Sequence, residues 1–183
     1  MSDFRQTSSR RSATLLVMTD VWHWIESPLG KLLLVGDGES LARLAMSPRP
    51  NDVPEGGRHD AAAFGAVEEQ LRSYFAGELT EFDVPLAPRG SEFQLRVWNA
   101  LLEIPYGETA SYGEIAAAVG RPDAVRAVGA TNGRNPIAVI IPCHRVIGAD
   151  GTLVGYGGGL DRKRLLLELE AEHAAPRLWP VRS

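Results

Sequence analysis

The feature that most restricts how this chain can fold is a change of hydrophobic period at Pro88-Arg89-Gly90. Ahead of that point, short apolar runs at residues 15–25, 31–35 and 40–46 are separated by Pro28-Leu29-Gly30 and Gly36-Asp37-Gly38, the signature of a β meander. A helix is predicted over residues 60–76, where Ala63, Val67, Leu71, Tyr74 and Phe75 recur at helical spacing, and a short strand over residues 82–86. Beyond the break the spacing is helical. The 183 residues accommodate one large domain or two small ones, and the change of period favours two. The expected division is an α/β domain over 13–88 and a second domain over 91–170, with a polar, mobile tail at 1–12 and a C-terminal tail at 171–183.

The second segment opens with a predicted helix over residues 91–103, whose Phe93, Val97, Trp98 and Leu101 share one face. Pro105-Tyr106-Gly107 ends it. In the stretch 111–120, Ser111 and Glu114 form a capping box, Tyr112, Ile115, Ala116 and Val119 supply a buried stripe, and Gly120 is a natural stop. After Arg121-Pro122 a further helix is predicted over 123–131, so two helices meet at a tight turn. That is helix-turn-helix geometry, which serves DNA binding and also occurs in all-α cores.

The faces of that last helix favour DNA. Val125 and Val128 define its inward side, and Arg126 lies roughly 130° away, flanked by the small residues Ala124, Ala127 and Ala130. Major-groove readers carry several long polar side chains, whereas a nearly bare helix with one arginine can press into the narrow minor groove. A plain surface arginine on an alanine-rich helix is the competing reading. Net charge, −4 from 19 basic and 23 acidic side chains, offers a nucleic-acid partner no support. No apolar run approaches the roughly 18 residues that span a bilayer, and residues 14–18 are too few for a signal-peptide core, so a soluble, cytoplasmic protein without a membrane partner is expected.

Cys143 is the single cysteine, which excludes an intramolecular disulfide and, with four scattered histidines, a cysteine-rich zinc site. Residues 137–141, Ile-Ala-Val-Ile-Ile, read as a buried strand running into Pro142-Cys143-His144-Arg145-Val146. A lone cysteine there is commonly a small buried hydrophobe. Its neighbours argue for chemistry: Pro142 imposes a backbone break, His144 offers a base, and Asn135-Pro136 predicts a pinned turn. A free thiol, with pKa about 8.5, is only a few per cent thiolate at neutral pH and needs such help. Adjacent residues on extended backbone point apart, so His144 must act through a water or after a turn, with a carboxylate orienting its other nitrogen.

Arg-Ala-Val-Gly at 126–129, Asn-Pro at 135–136, Ile-Pro-Cys-His-Arg-Val at 141–146 and Gly-Tyr-Gly-Gly-Gly-Leu at 155–160, followed by a closing helix to Glu170, together resemble the O6-alkylguanine-DNA alkyltransferases. The resemblance covers residues 91–170 in order; the first ninety match only in length and strand content. It implies a ribonuclease-H-like α/β N-terminal domain and a mainly α C-terminal domain with a winged-helix-like helix-turn-helix in the minor groove. Cys143 would be the alkyl acceptor, His144 would deprotonate it through a bound water, Glu170 would hold the histidine, and Asn135 would be a hinge beside the pocket. Arg126 would replace the flipped nucleotide, with Ala127 and Ala130 against the groove. Tyr112 would crowd the phosphate and donate towards the base, while Tyr156, Gly157 and Gly158 would line the pocket.

The partner so implied is double-stranded DNA containing O6-alkylguanine, with no cofactor, no metal and no obligate protein partner. Alkyl transfer to sulfur leaves a thioether that neither water nor another thiol readily displaces, so a single turnover is expected. At Gly157 many family members carry a hydroxyl that can reach the alkylated oxygen, and this chain lacks it. Three consecutive glycines, residues 157–159, predict a mobile pocket wall. Two other functions remain open at this level: a cysteine hydrolase that turns over through a thioester, and a non-enzymatic sensor of alkylated DNA. Tyr112 as a helix-face aromatic, Tyr156 as a loop-packing ring and Glu170 as a solvated charge are the structural alternatives.

Overall fold

The computed structural model describes residues 20–174. The expected tail at 1–12, the apolar residues 14–18 and the final residues 175–183 lie outside the described residues. Three strands, β1 (Val21–Ile25), β2 (Leu32–Gly36) and β3 (Leu41–Met46), form an antiparallel meander. A two-residue β4 (Arg58–His59) adds in parallel beside β1, giving the order β3-β2-β1-β4. Leu32, Leu33 and Leu34 are all inaccessible, so β2 is buried on both faces, as its unbroken apolar run requires. The helix α1 (Gly65–Phe75) brings Val67, Leu71 and Tyr74 into the core.

The free edge of β3 joins the two halves of the molecule. Near one end, Leu41 donates to the Pro85 carbonyl at 2.8 Å and accepts from the Ala87 amide at 2.8 Å. Towards the other, Leu44 donates to Pro136 at 2.9 Å and accepts from Ala138 at 3.1 Å. Each contact is a single bridge, Leu41 with Leu86 and Leu44 with Ile137. This corrects two expectations. Residues 82–86 are extended but form no strand, because only one residue finds a pairing partner; residues 137–141 are buried as expected but are a turn.

The C-terminal half packs three helices, α2 (Glu92–Leu102), α3 (Tyr112–Ala118) and α4 (Val125–Asn132). The expected box closes α3: Ser111 accepts from the Glu114 amide at 3.2 Å while the Glu114 carboxylate accepts from the Ser111 amide at 2.7 Å. Gly120, at φ 72°, reverses the chain, and the Arg121 amide reaches back to the Ala116 carbonyl at 2.9 Å. A two-stranded parallel pairing of β5 (Ala110–Ser111) with β6 (Val146–Ile147) flanks this helix-turn-helix. The long helix α5 (Leu160–His173) closes the fold. Val125 is a further correction: Val128, Thr131 and Asn132 face inward, and Val125 is 39% exposed. The helix starts at residue 125, two residues later than the expected 123.

Candidate active site

Asn135, just past α4, bends the chain towards Cys143. Its side-chain oxygen accepts from the Ile137 amide at 3.0 Å and its side-chain amide donates to the Ile141 carbonyl at 2.8 Å. One residue thus holds both ends of the 137–141 turn, within which Val139 sits at φ 71°, a conformation that a β-branched residue adopts only when its surroundings impose it. Pro142 leads into one 3-10 turn, Cys143–Arg145. The cysteine and histidine are therefore not on extended backbone, and the turn supplies the second of the two arrangements the sequence allowed.

Glu170 organises the buried polar groups. Its Oε1 accepts from His144 Nε2 at 2.8 Å, Tyr74 Oη at 2.7 Å and Arg145 Nη2 at 2.9 Å. Its Oε2 accepts from Arg145 Nε at 2.8 Å and the Gly107 amide at 3.2 Å. Fully buried, it is not the solvated charge that its place on a charged helix permits. Burial pushes its pKa up, but the hydrogen bonds from His144 and Arg145 and the charge of Arg145 outweigh this and hold it at about 2. An ionised carboxylate only accepts, so His144 carries its proton on Nε2.

His144 is itself inaccessible, and burial pushes its pKa down against the opposing pull of Glu170. The neutral ring therefore presents its Nδ1 lone pair, which makes no hydrogen bond among the described residues. Burial also pushes the Cys143 thiol up, opposed by hydrogen bonding from Asn135 and by the charge of Lys163. Cys143 rests as a thiol, and the neighbouring base has one nitrogen free.

Tyr112 donates to the Val154 carbonyl at 3.2 Å and Tyr156 to Met46 Sδ at 3.8 Å. Burial and the adjacent Cys143 push both phenols up, keeping their protons available for donation. Gly157 and Gly158 follow Tyr156 in the chain: a Cβ on Gly157 would meet nothing closer than the Gly133 carbonyl at 3.7 Å. Cys143, His144, Glu170, Asn135, Tyr112 and Tyr156 thus belong to one neighbourhood. Arg126, Ala127 and Ala130 stay outside it, exposed on α4.

Sequence reasoning missed Arg145, Lys163, Asn132 and Tyr74. Arg145 is buried against Glu170 and donates to the Ile104 carbonyl at 2.6 Å. Lys163 is inaccessible and donates to the carbonyls of Val146 at 2.6 Å and Val154 at 2.8 Å. Asn132 donates to the Cys143 carbonyl at 3.3 Å. A signal for Lys163 existed: with Leu166 and Glu170 it recurs at i, i+3, i+7, an inward helical stripe.

A family model described as the 6-O-methylguanine DNA methyltransferase DNA binding domain matches residues 92–172, and one described as the ribonuclease-like domain matches residues 21–88. A Mycobacterium bovis methylated-DNA–protein-cysteine methyltransferase is 58% identical over 153 residues, covering 82% of this chain and 92% of the relative. Its Methanosarcina acetivorans namesake is 56% identical over 147 residues, covering 79% and 94%. The crystal structure of Mycobacterium tuberculosis OGT in complex with DNA has a TM-score of 0.80 at 57% identity, covering 84% of this chain and 94% of that one. A ribonuclease-like domain joined to a DNA-binding domain that carries a buried thiol defines the class. The chain belongs to the 6-O-methylguanine DNA methyltransferase family.

Proposed function

We propose that this protein repairs DNA by moving the alkyl group of O6-alkylguanine in a duplex to Cys143, irreversibly and once per molecule. The carrying observation is the buried Cys143–His144–Glu170 array in a chain with a helix-turn-helix. Glu170 fixes His144 with Nδ1 unprotonated, and Nδ1 takes the thiol proton through a water. The thiolate attacks the alkyl carbon, so an S–C bond forms as the C–O6 bond breaks. The bonding pair stays on guanine, which takes up a proton in turn, with the Tyr112 hydroxyl donating towards the base. Asn135 couples α4 to the thiol, and Tyr156, Gly157 and Gly158 line the pocket. The helix α4 enters the minor groove with Ala127 and Ala130 against it, while Arg126 fills the vacated stack. Among the described residues no helix is long and apolar enough to cross a membrane.

Incubation with duplex DNA containing O6-methylguanine, followed by peptide mass spectrometry, tests this directly. One methyl group on the Cys143 peptide, in stoichiometric yield, is expected. Continuous product release would instead indicate a hydrolase, and lesion binding without transfer a sensor.

Arg126 is expected to matter only where there is a stack to leave. Arg126→Ala should slow transfer from duplex DNA, with the loss bounded by the few kcal/mol that extrusion costs, and leave reaction with free O6-benzylguanine nearly unchanged. Paired single-turnover rates measure this. Equal slowing on both substrates would make the arginine structural.

The two pocket glycines should behave differently. A Cβ on Gly158 would lie 2.5 Å from Met46 Cε and 3.1 Å from Tyr156 Cε1, whereas Gly157 has ordinary space. Gly158→Ala should therefore press the tyrosine wall inward and slow benzyl transfer more than methyl transfer. Gly157→Ala should change the two rates little.

A further inference from the structure

We propose that Arg162 and Met46 are specificity-determining residues: they anchor the pocket wall at 156–158 to the N-terminal domain and so set the largest alkyl group the protein accepts. The inference rests on the alkyl-transfer reading above. Residues 157–159 are all glycine and contribute little stiffness of their own. Their position is decided from outside the loop.

Arg162, in the first turn of α5, spans two elements with one guanidinium. Its Nη1 donates to the Gly158 carbonyl at 2.9 Å and its Nε to the Leu29 carbonyl at 2.8 Å. Leu29 belongs to the turn between β1 and β2, which is stiff. Ser27 and Gly30 exchange backbone hydrogen bonds at 3.1 and 2.9 Å, and the Ser27 hydroxyl donates to the Gly30 carbonyl at 2.7 Å while accepting from the Leu29 amide at 3.1 Å. Leu29 is also buried in the core. The guanidinium therefore ties a soft glycine loop to a rigid hairpin turn more than 120 residues earlier in the chain.

Met46, the last residue of β3, closes the space behind the same wall. Its sulfur accepts the Tyr156 hydroxyl at 3.8 Å, and its methyl group occupies the place that a Gly158 side chain would need. The wall can retreat only if the thioether moves or the Arg162 link breaks. Both residues are positioning residues, since each acts through the backbone or ring of the loop. The flexible thioether backing a tyrosine is the softer of the two, because methionine repacks readily.

The experiment compares single-turnover transfer from two duplexes that differ only in carrying O6-methylguanine or O6-benzylguanine, for the wild type, Met46→Ala, Arg162→Ala and Arg162→Lys. The benzyl-to-methyl rate ratio is expected to rise about tenfold in Arg162→Ala, the factor corresponding to one charge-assisted hydrogen bond, and to rise in Met46→Ala as the space behind Tyr156 opens. Arg162→Lys, which keeps a donor and loses the fork, should fall between. A partly unfolded variant loses amplitude on both duplexes and leaves the ratio unmoved, so folding defects do not imitate the effect. An unchanged ratio in both alanine variants overturns the proposal while leaving wild-type transfer intact. Failure of the wild type to methylate Cys143 overturns the parent reading instead.

Discussion

Cys143→Ala is expected to eliminate alkyl transfer from both duplex DNA and free O6-benzylguanine, while duplex binding stays within about twofold of wild type, a change of under 0.5 kcal/mol. The separation follows from geometry. The thiol is buried beyond the 137–141 turn, whereas Arg126, Ala127 and Ala130 are exposed on α4. Removing one sulfur from a packed site costs about 1 kcal/mol of stability, too little to unfold an ordinary domain. Single-turnover kinetics and a gel-shift titration on the same preparation measure both quantities. Transfer at a normal rate by this variant would remove Cys143 from the acceptor role.

Glu170→Ala should be the most damaging substitution to the fold and nearly as damaging to the chemistry. It leaves the buried Arg145 guanidinium without its partner and strips an acceptor from Tyr74, His144 and the Gly107 amide. Breaking a buried ion pair from one side costs about 3–5 kcal/mol. Glu170→Gln keeps the shape and separates the two effects. Its amide still accepts at one oxygen, so folding should suffer less, but the charge that orients His144 is gone. Transfer should slow by about 10²–10⁴-fold, the usual contribution of a positioned base, and the Cys143 thiol pKa should rise. An unchanged thiol pKa in both variants would leave Glu170 with a structural role alone.

The same groups set the acid limit of the fold. Glu170 is held at about 2, below its ordinary 4.5, so its contribution is complete above 4.5 and is lost as pH falls towards 2. His144 is also depressed, chiefly by burial, and the unfolded chain binds its proton first as pH drops below the ordinary 6.5. Both signs agree. Chemical denaturation across pH should show stability falling below about 6.5 and more steeply below about 4.5. Glu170→Gln should flatten the lower part of that curve, and a wild-type curve level from pH 7 to pH 3 would contradict the reading.

The helices followed from local rules, although α1 begins at residue 65 where 60 was expected and α4 at 125 where 123 was expected. The Ser111–Glu114 box and the Gly120 reversal were legible because each involves residues within a few positions of one another. Cys143 and His144 were singled out by their neighbours in the chain, and Glu170 was named from the resemblance of short motifs. Other features were hidden for one physical reason. An apolar run such as 137–141 states that residues are buried but not in what shape, and here two hydrogen bonds from Asn135 made it a turn.

By itself, then, the sequence determined which segments are periodic, where the period changes, which thiol is available and which helices carry apolar faces, because those properties depend on neighbours in the chain. Tertiary structure alone decided that Tyr74, 96 positions away, shares an oxygen of Glu170 with His144, that Arg145 is a buried cation, and that Met46 and Arg162 meet Tyr156 and Gly158. A charged or polar side chain is solvated by default, and only the partners that folding brings from distant segments make its burial affordable.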